Sequence, residues 1–187
     1  EISACLVGSE MCIRDRAEKY IMQMLDVGAG DRPEEISHSG NIVIDSLINH
    51  AYAAAQKDNI QFNVNVLVPA SLPFESGHLA IVLGNLLENA LEACRNIPDE
   101  KGFISLDISY AKDIFQLCIK NNYQAKRKKD IIGHYITTKG DNIYHGLGLS
   151  SINHAIENYH GQMDITDNDN IFQVIIVMYG SYSENAK

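Results

Sequence analysis

Apolar residues along this chain recur at two spacings, one helical and one alternating, and each switch between them marks an element boundary. Ile44, Leu47, Ile48, Ala51 and Ala55 follow the i, i+3, i+4, i+7 pattern of a helix running to about Lys57, with Ser37 or Ser39 as its N-cap. Phe62, Val64, Val66 and Val68 then alternate with Gln61, Asn63, Asn65 and Leu67, a one-sided strand over 60–68 that Pro69 ends. Helical spacing returns over Ser76–Asn96. Phe103–Tyr110 and Ile114–Asn121 read as strands meeting across Ala111-Lys112-Asp113. Residues 122–145 show little periodicity, and so long a connection inside a compact domain is usually functional. Leu147–Tyr159 is a third helix closed by Gly161 as its C′ residue, and Gln162–Thr166 and Phe172–Tyr179 form a hairpin. This order of elements predicts an α+β fold, a two-layer α/β sandwich.

The two ends read differently from this body. Residues 1–16 (EISACLVGSEMCIRDR) lack periodicity and resemble translated sequencing-adapter sequence, so they are read as a non-native or disordered tail. Ala17–Leu25 has the spacing of the end of a helix, and a Gly/Pro break follows. The division expected is therefore a tail over 1–16, the remnant of a helical region with an entry helix over 17–58, the main domain over 59–180 and a tail over 181–187.

Composition narrows the class without naming a function. Of 187 residues, 45% are hydrophobic, enough for a core, and the formal net charge is −9, which argues against coating nucleic acid. No apolar run reaches the ~18 residues of a membrane helix. The four cysteines form no CxxC pair, so a reducing, cytosolic setting is the expectation.

Two segments carry chemistry. In 79–94 (LAIVLGNLLENALEAC), Leu79, Leu83, Leu86, Leu87, Ala90, Leu91 and Cys94 make one broad apolar face. Asn85, Asn89 and Glu92 fall within about 60° of one another opposite it. Asn is a poor helix former, but two carboxamides one turn apart can ligand a hard cation such as Mg²⁺ and donate to phosphate. A solvated face that happens to hold Asn is the plain alternative. In 137–161 (TTKGDNIYHGLGLSSINHAIENYHG), Gly146 and Gly148 open a helix, and glycines there let backbone amides approach a phosphate at the positive end of the helix dipole. Lys139 adds a cation. The segment is neither a Walker A loop nor a Rossmann fingerprint.

Together, NLLENALEA, a strand pair, TTKG…HGLGL leading a helix and a terminal hairpin resemble the nucleotide-binding (Bergerat/GHKL) fold of histidine kinases, gyrase-type topoisomerases and Hsp90-type chaperones. The resemblance is strongest to the catalytic, ATP-binding domain of sensor histidine kinases, in the peptide-sensing quorum receptor (Agr-type) branch, and spans roughly 37–180. It implies a mixed, mostly antiparallel sheet with three helices on one face, and ATP and Mg²⁺ as cofactors. Asn89 matches the N-box residue that coordinates Mg²⁺, and Asn85 the position one turn earlier, where ATP-hydrolysing relatives carry a water-activating Glu; both are the implied catalytic residues. Glu92, Lys139, His145, Gly146, Leu147, Gly148 and Leu149 match positions around the phosphates. Asn121 stands where most relatives have the Asp of an Asp-x-Gly-x-Gly box that accepts from the adenine amino group. The glycines of that box are absent here, but an Asn oxygen can accept the same bond without charge assistance.

The resemblance further implies transfer of the ATP γ-phosphoryl group to a histidine on a dimerisation helix, of the same chain or its partner in a homodimer, and a response regulator downstream. None of the seven histidines precedes an acidic residue, so the acceptor is expected upstream of this chain, and the chain alone should bind ATP without autophosphorylating. It implies a cytoplasmic domain of a protein anchored in the cell membrane, with no membrane contact of its own. The basic cluster Lys126, Arg127, Lys128 and Lys129 could aid phosphate or partner docking, or simply be solvated. Two rival readings are a GHKL serine kinase of the anti-sigma type, which would usually carry Glu at position 85, and a degenerate module serving only dimer signalling.

Overall fold

A computed structural model describes residues 35–97, 101–124, 128–129, 135–136 and 147–180. Its elements are α1 (Ile42–Lys57), β1 (Gln61–Leu67), α2 (Ser76–Arg95), β2 (Phe103–Ala111), β3 (Ile114–Asn122), β4 (Lys128–Lys129), β5 (Tyr135–Ile136), α3 (Leu147–Glu157), β6 (Gln162–Asn168) and β7 (Ile171–Tyr179). Five strands form one sheet in the order β1-β2-β3-β7-β6. Only β1 and β2 are parallel, because α2 carries the chain back between them; the other neighbours are antiparallel. The expected mixed, mostly antiparallel sheet with three helices is present.

One face of the sheet is buried. Phe62, Ile104, Leu106, Ile108, Phe115, Leu117, Ile119, Phe172, Val174, Ile176 and Met178 share a core with the apolar stripes of the helices. The period-2 burial of β3 and β7 shows the other face turned outward. Helix α2 lies centrally, packed on α1, on α3 and on β2 and β3. Every residue from Leu79 to Leu87 is buried, so this middle stretch is enclosed all round. All five apolar positions expected to face inward on α1 are buried, and α1 shares this core.

Both hairpins turn through two residues of positive φ, Lys112 (51°) with Asp113 (61°) and Asp169 (51°) with Asn170 (62°). That geometry matches the right-handed twist of the strands. Helices α1 and α3 stop alike. Asn59 (φ 54°) closes α1, its N–H bonding Gln56 O and that of Ile60 bonding Ala55 O. His160 (φ 49°) closes α3, its N–H bonding Glu157 O and that of Gly161 bonding Ile156 O.

Three expectations change. The left-handed C′ residue of α3 is His160, not Gly161. Gly161 is needed for space: a Cβ there would lie 2.7 Å from Ile156 Cβ and from Ile156 O. The N-cap of α1 is Asn41, whose side chain accepts from Ile44 N at 3.2 Å while its amide donates to Ala70 O. Ser37 and Ser39 turn instead to Asp45: Ser37 Oγ donates at 2.6 Å, and Ser39 N, Ser39 Oγ and Gly40 N donate at 2.9 Å. Burial would raise the Asp45 pKa, but these bonds outweigh it and hold the carboxyl below its ordinary value. Within the segment read as aperiodic, Lys128–Lys129 pairs with Tyr135–Ile136 as a short antiparallel ladder. The expected helix end at 17–25 lies outside the described residues.

Candidate functional site

The polar residues singled out on α2 sit in three different environments. Asn85 is only 5% exposed, inside the enclosed stretch 79–87 of the helix, and its Nδ2 donates to Ile81 O one turn back at 2.6 Å. Asn89 is exposed and Glu92 half-buried, because past Leu87 the helix emerges from between its neighbours. The spacing that groups the three on one face is right as geometry; burial separates them.

Asn121 ends the buried row Phe115, Leu117, Ile119, Asn121 on the helix-facing side of β3 and is 3% exposed. Its Nδ2 donates to Asn122 O at 3.0 Å. Its Oδ1 accepts nothing among the described residues. Every fully enclosed side-chain nitrogen and oxygen there is hydrogen-bonded, so that oxygen is not completely enclosed.

The neighbouring Asn122 was not singled out from the sequence. Its Oδ1 accepts from Phe103 N at 2.8 Å and its Nδ2 donates to Lys101 O at 3.2 Å, pinning the entry of β2 to the end of β3. Cys94, in the last turn of α2, completes the junction, with Sγ 3.4 Å from Phe103 O and 3.7 Å from Asn122 O. Burial pushes the Cys94 thiol up to about 11. Gly102 permits this approach, since a Cβ there would stand 2.8 Å from Cys94 Cβ. Asn is disfavoured in strands, so two in succession at a strand end were the available signal. Tyr123 then bonds Asp167 through its hydroxyl, and its N–H donates to Asn170 O at 3.0 Å, tying the chain leaving β3 to the last hairpin.

Tyr159, just past the end of α3, accepts from Glu75 N at 2.9 Å and lies 2.8 Å from His78 Nδ1, at the start of α2. The two helices pack together from that shared end, so they run antiparallel. At ~1.5 Å per residue, Leu147 and Gly148 stand ~18 Å back along α3, roughly level with Asn89 on α2. The first turn of α3 holds no acidic residue. Asn121 lies beside the C-terminal turn of α2 through the Cys94–Asn122 junction, and Asn89 is about 7.5 Å along the helix axis from Cys94. Asn89 and the Leu147–Leu149 turn thus stand at similar heights along the two packed helices, and Asn121 lies beside the last turn of α2. Lys139, His145 and Gly146 lie outside the described residues, as do Lys126 and Arg127.

The donor set fits a nucleotide with its cation. Among the described residues no group of three or more His, Cys, Asp or Glu could hold a metal alone. Mg²⁺ held mainly by phosphates and water needs only one or two protein oxygens, which an exposed carboxamide supplies. A helix start without carboxylates suits an anion. A shallow depression lined by Gln162, Met163, Asp164, Ile175 and Val177 holds none of these residues.

Comparison with known proteins shows the family and the fold. The GHKL domain family matches residues 75–179, more than half of the chain, and the chain belongs to that family. The fold is similar to the catalytic domain of histidine kinase ThkA, at 22% identity over 73% of this chain and 92% of that one, with a TM-score of 0.55. It is similar also to the histidine kinase domain of the Erythrobacter litoralis EL346 blue-light activated kinase (17% identity, 88% of this chain and 73% of that one, TM-score 0.54). A mycobacterial sensor histidine kinase, MprB, matches at 16% identity over 73% of this chain and 95% of that one, TM-score 0.51. No curated protein sequence matches the chain. No helix among the described residues is long and apolar enough to cross a membrane.

Proposed function

We propose that this chain is the ATP-binding catalytic domain of a sensor histidine kinase, transferring a γ-phosphoryl group to a histidine on a dimerisation helix upstream. The observation that carries this reading is an Asn at position 85 where a hydrolase needs a carboxylate, with Asn89 exposed one turn later on the same helix. Bound Mg·ATP supplies an activated phosphoryl group and a cation that neutralises its charge. The chain's own residues bind and orient. Asn89 Oδ1 offers a ligand to the cation, and amides of the Leu147–Leu149 turn face the phosphates with the help of the helix dipole. Asn121 Oδ1 accepts from the adenine amino group. Asn85 carries no carboxylate to deprotonate water, and its amide is held against Ile81 O. Phosphoryl transfer asks for positioning and charge neutralisation more than for covalent chemistry from the protein. Glu92, Lys139, His145 and Gly146 complete the proposed surroundings of the phosphates.

In this reading α1 is the entry helix, residues 59–180 the catalytic unit and 17–58 part of a dimerisation region. A homodimer, a response regulator, the quorum-receptor branch and a cytoplasmic site on a membrane-anchored protein belong to the same proposal. Titration with a non-hydrolysable ATP analogue tests it. Binding should require Mg²⁺, and Asn121→Ala should weaken it at least about tenfold, the size of one hydrogen bond. A separately made His-bearing dimerisation helix of this receptor class, added in trans, should then become phosphorylated on His. No binding below millimolar analogue would leave only a scaffold, and phosphoserine on a partner protein would point to a serine kinase.

A further inference from the structure

We propose that Asn122 is a positioning residue that sets purine selectivity by locking the Asn121 carboxamide with its oxygen toward the base. The proposal rests on the nucleotide reading above and adds a device to it. An Asp at this place would accept a hydrogen bond through either oxygen. An Asn would not: turned one way it accepts, turned the other it donates. Adenine presents an amino donor at its 6-position, whereas hypoxanthine presents a 6-oxo acceptor and an N1–H. An unrestrained Asn could therefore satisfy either base by rotating 180°, and the chain would lose its means of refusing 6-oxo purines.

The structure removes that freedom. Asn121 Nδ2 donates to Asn122 O at 3.0 Å, and Oδ1, which accepts nothing among the described residues, is left as the side chain's available group. Rotation would place Oδ1 against Asn122 O, two acceptors together, and leave Nδ2 without this partner. The acceptor carbonyl is itself fixed. The side chain of the same residue spans Phe103 N at 2.8 Å and Lys101 O at 3.2 Å, and Cys94 Sγ stands 3.7 Å from that carbonyl. The Asn122 peptide is thus clamped from β2 and from α2, and the clamp passes to the neighbouring carboxamide. Neither Asn122 nor Cys94 need touch the nucleotide to do this.

The test is a pair of binding titrations, ATP against inosine triphosphate, with Mg²⁺ present, on the whole chain and three variants. Wild type should prefer ATP by about tenfold or more, the worth of one hydrogen bond. Asn122→Ala should bring that ratio toward unity, mostly through tighter inosine triphosphate binding. Adding Asn121→Asp to Asn122→Ala should restore the preference, because a carboxylate has no donor to rotate into place. Asn122→Asp keeps the acceptor for Phe103 N and should lie between, which covers the case in which Asn122→Ala does not fold. A merely structural role for Asn122 would weaken both nucleotides equally and give no rescue, and that result overturns the lock. Unchanged selectivity in Asn122→Ala and Asn122→Asp would do the same. Failure of wild type to bind either nucleotide would instead overturn the functional reading, and the lock with it.

Discussion

The two ends of α2 show one helix put to two uses. At its start, Phe74 meets Tyr159, Phe115 and Tyr110 edge-on with ring centroids 5.0, 5.6 and 6.0 Å apart. The N-cap residue Glu75 makes no side-chain cap; its own N–H is taken by Tyr159 Oη instead. That end is closed by aromatic packing and a tertiary cap. At its finish, amides and carbonyls replace rings: Cys94, Phe103, Asn121 and Asn122 share a hydrogen-bonded junction, and Asn89, five residues before Cys94, is exposed. Apolar contacts hold the layers together without discriminating between ligands. Directional polar groups contribute less net stability and can choose a partner. The helix keeps these roles some 20 residues apart, so the polar end can be arranged without loosening the core.

Mutations at the two ends should separate stability from binding. The largest effect expected is on folding: Phe74→Ala removes a buried ring from three aromatic neighbours and should cost about 3–5 kcal/mol in urea denaturation. Asn89→Ala should behave in the opposite way. It changes an exposed helix position, so stability should stay within about 0.5 kcal/mol, while Mg²⁺-dependent affinity for an ATP analogue falls at least about tenfold. Affinity that falls equally with and without Mg²⁺ would remove Asn89 from the cation site. Tyr159→Phe keeps the ring contacts but loses the hydroxyl that serves Glu75 and His78, and should lower stability by about 1 kcal/mol with nucleotide affinity unchanged.

The smallest effect concerns Cys94. Burial raises its folded pKa to about 11 from an ordinary thiol value of 9.0. A thiol raised on folding contributes stability that is complete below the unfolded value and lost as pH rises through the folded one, here from about 9 to about 11. Stability should therefore drop more for wild type than for Cys94→Ser across that window. Iodoacetamide at pH 8 should label Cys94 only on unfolding, since the thiolate is the nucleophile. Rapid labelling of the folded chain would show the junction to be open.

Much of this molecule was legible in the order of its residues. Spacings of two and of three-to-four depend only on which side of a strand or helix a residue meets, so the main elements, the buried row on β3 and the apolar face of α2 could be read locally. Asn121 as the polar end of that row was visible too. What the tertiary structure decided depends on partners distant in the chain. Asn41 rather than a serine caps α1, its amide also reaching Ala70 across 29 residues. Tyr159 caps α2 across 84 residues, and Asn122 pins Phe103 across 19. His160 takes the left-handed turn, while Gly161 serves a close contact with Ile156. Asn85 and Asn89 share a face by spacing; only the packing of α1 and α3 around the middle of α2 buries one and exposes the other. Periodicity sets the side of an element that a residue occupies, but hydrogen bonding and burial follow from what folding brings against that side.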